Sequence, residues 1–275
     1  MGKNIYILFA LLLAACMPEL PESPETLVVE GWIENGAAPV VFVTSSVSTS
    51  YEEKGLSDLI EHVATTANVT ITYNGVRYPL VATISDDYFL SFYYTSNTLK
   101  GVVGGTYKLE VDWKGMHAEA ETTIHTPATV DSIVVERHPM IDTSYIVKAH
   151  IVPVPDVQYY RFFSMAVGKD STYAISYNGT FDSKLHADEL FAVNRGRVNP
   201  IVYSDYYYTY GDSVRFKLAS IDATAYDFWT RYDENMIFSH AALIPYSSNM
   251  KGNIEGGLGY WFGYGVNTYA VKVTQ

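Results

Sequence analysis

Two short runs near the start of the chain, LVVEGWI (27–33) and VVFVT (40–44), are β-branched and aromatic, and the turn-forming ENGAAP separates them. Runs of that composition bounded by turn residues predict strands. Residues 69–73 and 76–80 flank Asn74-Gly75, and residues 107–113 and 116–124 flank Lys114-Gly115, so both pairs predict hairpins. Along 116–124 the residues Met116, Ala118, Ala120 and Ile124 share one parity, while His117, Glu119, Glu121 and His125 share the other. Period-two alternation places one face in a core and the other in water. About seven such strands in roughly 100 residues predict an immunoglobulin-like β-sandwich over 27–127. In this half GLSDLIEHVA (55–64) alone reads as helical, an insertion at the sandwich edge.

His125-Thr126-Pro127-Ala128 interrupts the pattern and marks a boundary. Beyond it, residues 132–136, 146–152, 159–167, 172–177 and 213–221 predict further strands. Asp222 is placed to cap a helix near 223–237. On that helix Ala225, Tyr226, Trp229, Tyr232, Met236 and Ile237 fall on one face, with Asp227 and Arg231 paired at i,i+4 outside. A Gly-rich turn and strands at 260–264 and 269–273 close the chain. The glycines of GGLGYWFG (256–263) lack the third glycine of a dinucleotide loop, and an aromatic strand follows where a helix should open. They predict a tight turn and close backbone approach. The expected fold is mainly β: the sandwich of 27–127, then a second mostly β domain over 128–275 containing one clear helix.

The first 26 residues follow other rules. Lys3 precedes an apolar run over 5–13, about half the roughly 20 residues that a membrane-spanning helix needs. That order predicts a secretory signal over 1–15. Leu13-Ala14-Ala15-Cys16 resembles the bacterial lipobox, in which cleavage leaves a diacylated N-terminal cysteine. Cys16 is the one cysteine of the chain, so it has no disulfide partner. Three P-E-x triplets then run from Pro18 to Thr26. In a polyproline II helix their prolines share one edge and their carboxylates another, giving a stiff spacer of about 28 Å. Residues 16–26 therefore predict a lipid-anchored tether, whose carboxylates anionic headgroups would repel.

Composition narrows the partners. With 18 Lys and Arg against 30 Asp and Glu, the net charge is −12, which speaks against nucleic acid. A single cysteine excludes multi-cysteine metal sites. The seven histidines show no HExxH or similar spacing, and GxSxG is absent. His117, Glu119 and Glu121 read as a solvated strand face. Asp86-Asp87 and Asp188-Glu189 are neighbours that a strand would point to opposite faces. No catalytic residue, metal site or cofactor is expected. Tyrosine is the richer signal: Tyr203, Tyr206, Tyr207, Tyr208 and Tyr210 crowd around Asp205. Flat rings with polar tips suit a peptide, sugar or protein surface, and they equally suit a sandwich core or edge strand.

Several motifs, in order, resemble a family of Bacteroidota lipoproteins known only as a domain of unknown function. They are LVVEGWI (27–33), Gly105-Thr106-Tyr107, Thr129-Val130-Asp131-Ser132-Ile133, Tyr159-Tyr160-Arg161-Phe162 and Asp188-Glu189-Leu190-Phe191. Ser220-Ile221-Asp222 with Tyr226, Phe228 and Trp229 follows, then Gly252-Asn253-Ile254 through Gly259-Tyr260. Members of that family are typically encoded beside TonB-dependent outer-membrane receptors. The resemblance implies an accessory to nutrient uptake. With Cys16, the acidic tether and the β-rich build, the expectation is a non-enzymatic, lipid-anchored outer-membrane protein facing the cell exterior, which captures a peptide or glycan nutrient for such a receptor or caps it. An adhesin or envelope scaffold is the alternative, and a carboxylate-based hydrolase a third. The family brings no catalytic residues to carry over.

Overall fold

The computed structural model describes residues 25–46, 60–88, 91–184, 189–196, 206–238 and 250–274; Cys16, the tether up to residue 24, Tyr203, Asp205 and Asp188 lie outside them. The first half forms strands β1 (Leu27–Glu34), β2 (Val40–Ser45), β3 (Asn68–Tyr73), β4 (Val76–Pro79), β5 (Val81–Ile84), β6 (Phe92–Thr95), β7 (Thr106–Trp113) and β8 (Met116–Thr123). One sheet runs β4-β3-β7-β8, and the facing one contains β1-β2-β6-β5. That is the ABED and C′CFG order of an immunoglobulin-like sandwich. Both sequence-predicted hairpins are present, with Asn74 and Lys114 at positive φ before Gly75 and Gly115. β4 and β5 are separated by the single residue Leu80, where the chain switches sheets. Of the stretch predicted as helical, only 60–64 are described: Ile60 and Glu61 are helical, and Val63 bridges to Thr44.

The core of this sandwich alternates as the parity predicts. Val29, Ile33, Val41, Val43, Leu109, Val111, Ala118 and Ala120 are buried together. Tyr107, at the start of β7, turns its hydroxyl back to accept from the Val102 amide at 2.8 Å. This is the tyrosine corner of immunoglobulin-like folds. A second indole joins Trp113 in this core from the far end of the chain: Trp261 is fully buried and donates from Nε1 to the Tyr107 carbonyl at 3.0 Å.

The second half adds β9 (Thr129–Arg137), β10 (Ser144–Val152), β11 (Tyr159–Ala166), β12 (Ala174–Asp182), β13 (Leu190–Ala192), β14 (Tyr208–Thr209), β15 (Ser213–Ile221), helix α1 (Ala223–Phe238) and β16 (Leu258–Lys272). β10, flanked by β9, β13 and β14, packs over β12-β11-β15-β16, with Val147, Ala149, Phe162, Phe216 and Leu218 between the layers. The chain is thus mainly β with one described helix. Among the described residues no helix is long and apolar enough to cross a membrane.

β16 joins the halves. Its residues 258–264 pair in parallel with β1, and 265–272 pair antiparallel with β15. The result is one eight-stranded sheet, β12-β11-β15-β16-β1-β2-β6-β5. The segment beyond 250, which the sequence groups with the second domain, therefore supplies a strand to both. The two strands predicted at 260–264 and 269–273 are one, because Gly265 between them makes no turn. A Cβ at Gly265 would collide with the His125 carbonyl, and one at Gly263 with that of Thr123. These glycines let the 125–128 linker cross close over β16. Asn253 holds the preceding segment in place: its Nδ2 donates to the Glu121 and Trp261 carbonyls, and its Oδ1 accepts from the Trp261 amide.

Candidate ligand site at the seam of the shared sheet

Along β16 the odd and even side chains part company. Trp261, Tyr269, Val271 and Val273 point into the two sandwich cores, whereas Tyr260, Phe262, Tyr264 and Val266 point to the opposite face. That outer face is covered in the second half by α1. Asp222 caps the helix, its Oδ1 accepting from the Ala225 amide at 2.7 Å. Asp227 and Arg231 form the predicted i,i+4 pair at 2.9 Å. Ala225, Phe228 and Trp229 seat on Ala219, Ile221 and Phe262.

Two charges of opposite sign lie under this helix. Arg161 of β11 is completely buried, and its Nη1 and Nη2 donate to Asp233 Oδ2 and Oδ1 at 3.0 and 3.1 Å. The Thr180 hydroxyl accepts from Arg161 and donates to Asp233. The guanidinium carbon lies 4.6 Å from the centre of the Trp229 ring. Burial raises the Asp233 carboxyl above its ordinary range, and Arg161 opposes that rise. The bidentate fork, with an aromatic face beside it, compensates part of the desolvation of both groups.

Beside this pair opens a cavity of about 510 Å³. It lies where α1 ends its cover, between the outward side chains of β1, β12, β15 and β16. Trp229, Tyr260 and Tyr264 make a buried floor, with Trp229 Nε1 donating to the Tyr264 hydroxyl at 3.0 Å. Half-buried rings of Trp32, Tyr88, Phe163, Tyr173, Tyr177 and Tyr232 form the walls. Burial pushes the Tyr88 phenol up to about 12, assisted by the nearby Tyr93, Glu34 and Asp87, so it is a neutral hydrogen-bonding group at neutral pH.

One ion pair faces the cavity with both of its members, and Asp233 of the other pair also reaches its lining. Lys217 Nζ donates to Glu34 Oε2 at 2.5 Å and sits 4.5 Å from the centre of the Tyr173 ring. Glu34 is only 9% exposed. It comes from β1 of the first sandwich and Lys217 from β15 of the second, with β16 between them. A volume within the range of small-molecule sites, aromatic walls and a few convergent polar groups are the attributes of a ligand pocket.

The described part of the tyrosine segment singled out in the sequence does not line the cavity and is not one surface. Tyr206 and Tyr208 are buried, Tyr207 is half-buried, and Tyr210 is 67% exposed. Tyr206 stacks on Tyr177 at 4.2 Å between ring centres, and Tyr208 enters the second core because β14 pairs with β10. The expected role of Tyr206 and Tyr208 as a ligand surface is corrected accordingly; Tyr203 and Asp205 lie outside the described residues. The His117 face is wet, as predicted: His117 binds Asp112 at 2.8 Å and Lys108 binds Glu119 at 2.7 Å. Of the paired acids, Asp87 reaches the cavity rim, where it accepts from the Ser85 hydroxyl at 2.9 Å.

Sequence reading missed Trp32, Glu34, Tyr173 and Lys217 as a group, since nothing local links them. One signal was available for the neighbouring pair. Arg161 shares strand parity with Tyr159 and Phe163, and Asp233 follows Trp229 at i+4 on the apolar helix face; two misplaced charges of opposite sign invite pairing. No curated protein matches the chain. Residues 16–270 match the family described as Domain of unknown function (DUF4249), and with that span covered the chain belongs to it.

Proposed function

We propose that this protein is a lipid-anchored accessory of a TonB-dependent nutrient receptor in the Bacteroidota outer membrane, and that it captures ligand in the seam cavity. The observation that carries the capture role is that cavity: aromatic walls and one inward-facing ion pair, held on strands of both sandwiches. Rigid strands preorganise such a site better than loops do. The lipobox-like LAAC (13–16) and the acidic tether support the anchor and its outward presentation.

Binding is favoured over hydrolysis by the state of the carboxylates. Glu34 is tied to Lys217 and Asp233 to Arg161, so neither is a free acid or base beside a ligand. Capture is favoured over adhesion by the concave, aromatic-walled cavity, since the tyrosine segment offers no continuous surface: Tyr206 and Tyr208 are buried. Affinity purification of the tagged protein from gently solubilised membranes tests the partnership. A co-purifying TonB-dependent receptor is the expected result, and repeated recovery without one overturns it. The anchor is tested separately: Cys16→Ala should leave uncleaved, mislocalised precursor, and unchanged membrane retention refutes lipidation.

A further inference from the structure

We propose that the seam cavity takes a neutral pyranose sugar of one or two rings, held between aromatic faces and hydrogen-bonded to the Lys217–Glu34 pair. This rests on the capture reading above and names its ligand class. Three features of the cavity carry it.

The walls come first. Trp32, Tyr88, Phe163, Tyr173 and Tyr177 are half-buried and line the cavity. Flat apolar rings with polar tips match a ligand that is apolar on its C–H faces and polar around its rim. Sugar rings have that distribution; an acyl chain has no polar rim.

The charge balance comes second. Lys217 and Glu34 cancel each other, and the Asp233 charge is cancelled by Arg161. Asp87 stands exposed at the rim, already bonded to Ser85. The interior thus offers no net charge to attract an ion. A zwitterionic amino acid or dipeptide would have to place both of its charges on the one mutually neutralised pair, whose members are already in contact at 2.5 Å. A neutral polyol leaves that contact intact.

The third feature is unused bonding capacity. Among the described residues the Lys217 ammonium has one hydrogen-bond acceptor, Glu34 Oε2, and the Glu34 side chain has one donor, Lys217. An ammonium carries three donors, and a carboxylate about four acceptor positions. Two ammonium hydrogens and the second carboxylate oxygen are therefore available on a pair that is largely buried. Adjacent sugar hydroxyls satisfy both at once, one accepting from Lys217 and the next donating to Glu34, as charge-assisted bonds.

The test titrates the full mature chain with glucose, galactose, mannose, xylose, maltose and cellobiose at millimolar concentration. Tetramethylammonium, alanyl-alanine and decanoate serve as the charged, zwitterionic and acyl probes. Calorimetry reads binding, and intrinsic fluorescence reports on Trp32 and Trp229. At least one sugar should bind more tightly than all three other probes, and Lys217→Met should weaken it at least tenfold. Trp32→Phe, which keeps a ring and so the fold, should weaken it severalfold; unchanged thermal melting of both variants excludes a folding defect. No binding by any sugar, tighter binding by any of the other probes, or full affinity in both Lys217→Met and Glu34→Gln would overturn the assignment. Receptor recovery without sugar binding sinks the ligand class and leaves the accessory reading; sugar binding without receptor does the reverse.

Discussion

In the second sandwich the outer face of the shared sheet is sealed by α1, which lays Ala225, Phe228 and Trp229 directly onto Ala219, Ile221 and Phe262. In the first sandwich the same face carries rings packed edge-on: Phe42 meets Tyr88 at 5.4 Å and Trp32 meets Tyr88 at 6.1 Å. Under α1, Phe228 and Trp229 both meet Phe262, at 5.6 and 6.3 Å between ring centres. The cavity lies where one kind of cover gives way to the other. The charged pairs follow the same division. Arg161–Asp233 is buried beneath the helix with both Asp233 oxygens bonded, although Asp233 reaches the cavity lining, whereas Lys217–Glu34 faces the open volume with bonding capacity to spare. Cover, more than composition, decides which polar pair is structural and which can meet a ligand.

Removing one partner of the sealed pair should do the most damage. Asp233→Ala strands a buried guanidinium and should cost about 3–5 kcal/mol. Urea unfolding measures it, and a loss below about 1 kcal/mol would mean that the helix side is less tightly sealed than the contacts indicate. The double variant Arg161→Met, Asp233→Leu should recover much of the loss, since no unpaired charge is left behind.

Gly265→Ala comes next, because the two sandwiches meet at that crossing. The added methyl must displace the His125 carbonyl, and an overpacking cost of about 1–3 kcal/mol is expected. A wild-type urea midpoint would show that the linker is free to shift.

The corner tyrosines compare the two halves more finely. Tyr107 accepts from the Val102 amide at 2.8 Å and also bonds the Tyr73 side chain; Tyr160 accepts from Val154 at 2.9 Å and donates to the Val157 carbonyl at 2.9 Å. At about 1 kcal/mol per bond, Tyr107→Phe and Tyr160→Phe should destabilise by similar amounts, read as urea midpoints. A clearly smaller loss in one would mean that one of its two bonds contributes nothing.

The smallest effect concerns pH. Burial first, and then the hydrogen bond with Tyr206, pushes the Tyr177 phenol up to about 12. An unfolded tyrosine titrates near about 10. The stability linked to the neutral phenol is therefore complete below that value and is lost as pH rises toward 12. Tyr177→Phe should flatten this alkaline fall in urea midpoint. An unchanged slope would assign the fall to other tyrosines.

Much of the fold could be read locally. Asn74-Gly75 and Lys114-Gly115 named their hairpins because positive φ at those positions suits few residues. Asp222 and the Trp229–Tyr232 spacing located the helix, and parity along β8 identified its buried face. β6 escaped because YFLSFYYT (88–95) shows no clean alternation, and β5 because VATI (81–84) is only four residues long. β13 and β14 have three and two residues, too few for a period to show. Tyr208 was recognised as notable, but its burial depends on β14 reaching β10.

The sequence by itself determined the strand-rich fold class, the helix with its cap, the turn positions, and the N-terminal expectations that centre on Cys16. All of these depend on neighbours within a few residues, where backbone conformation and side-chain period act. Tertiary structure alone decided that β16 would serve two sandwiches, that Trp261 would fill the first core, and that Glu34 would find Lys217 from 183 positions away. Those outcomes depend on which faces the sheet leaves uncovered after long-range pairing, and no local period encodes that.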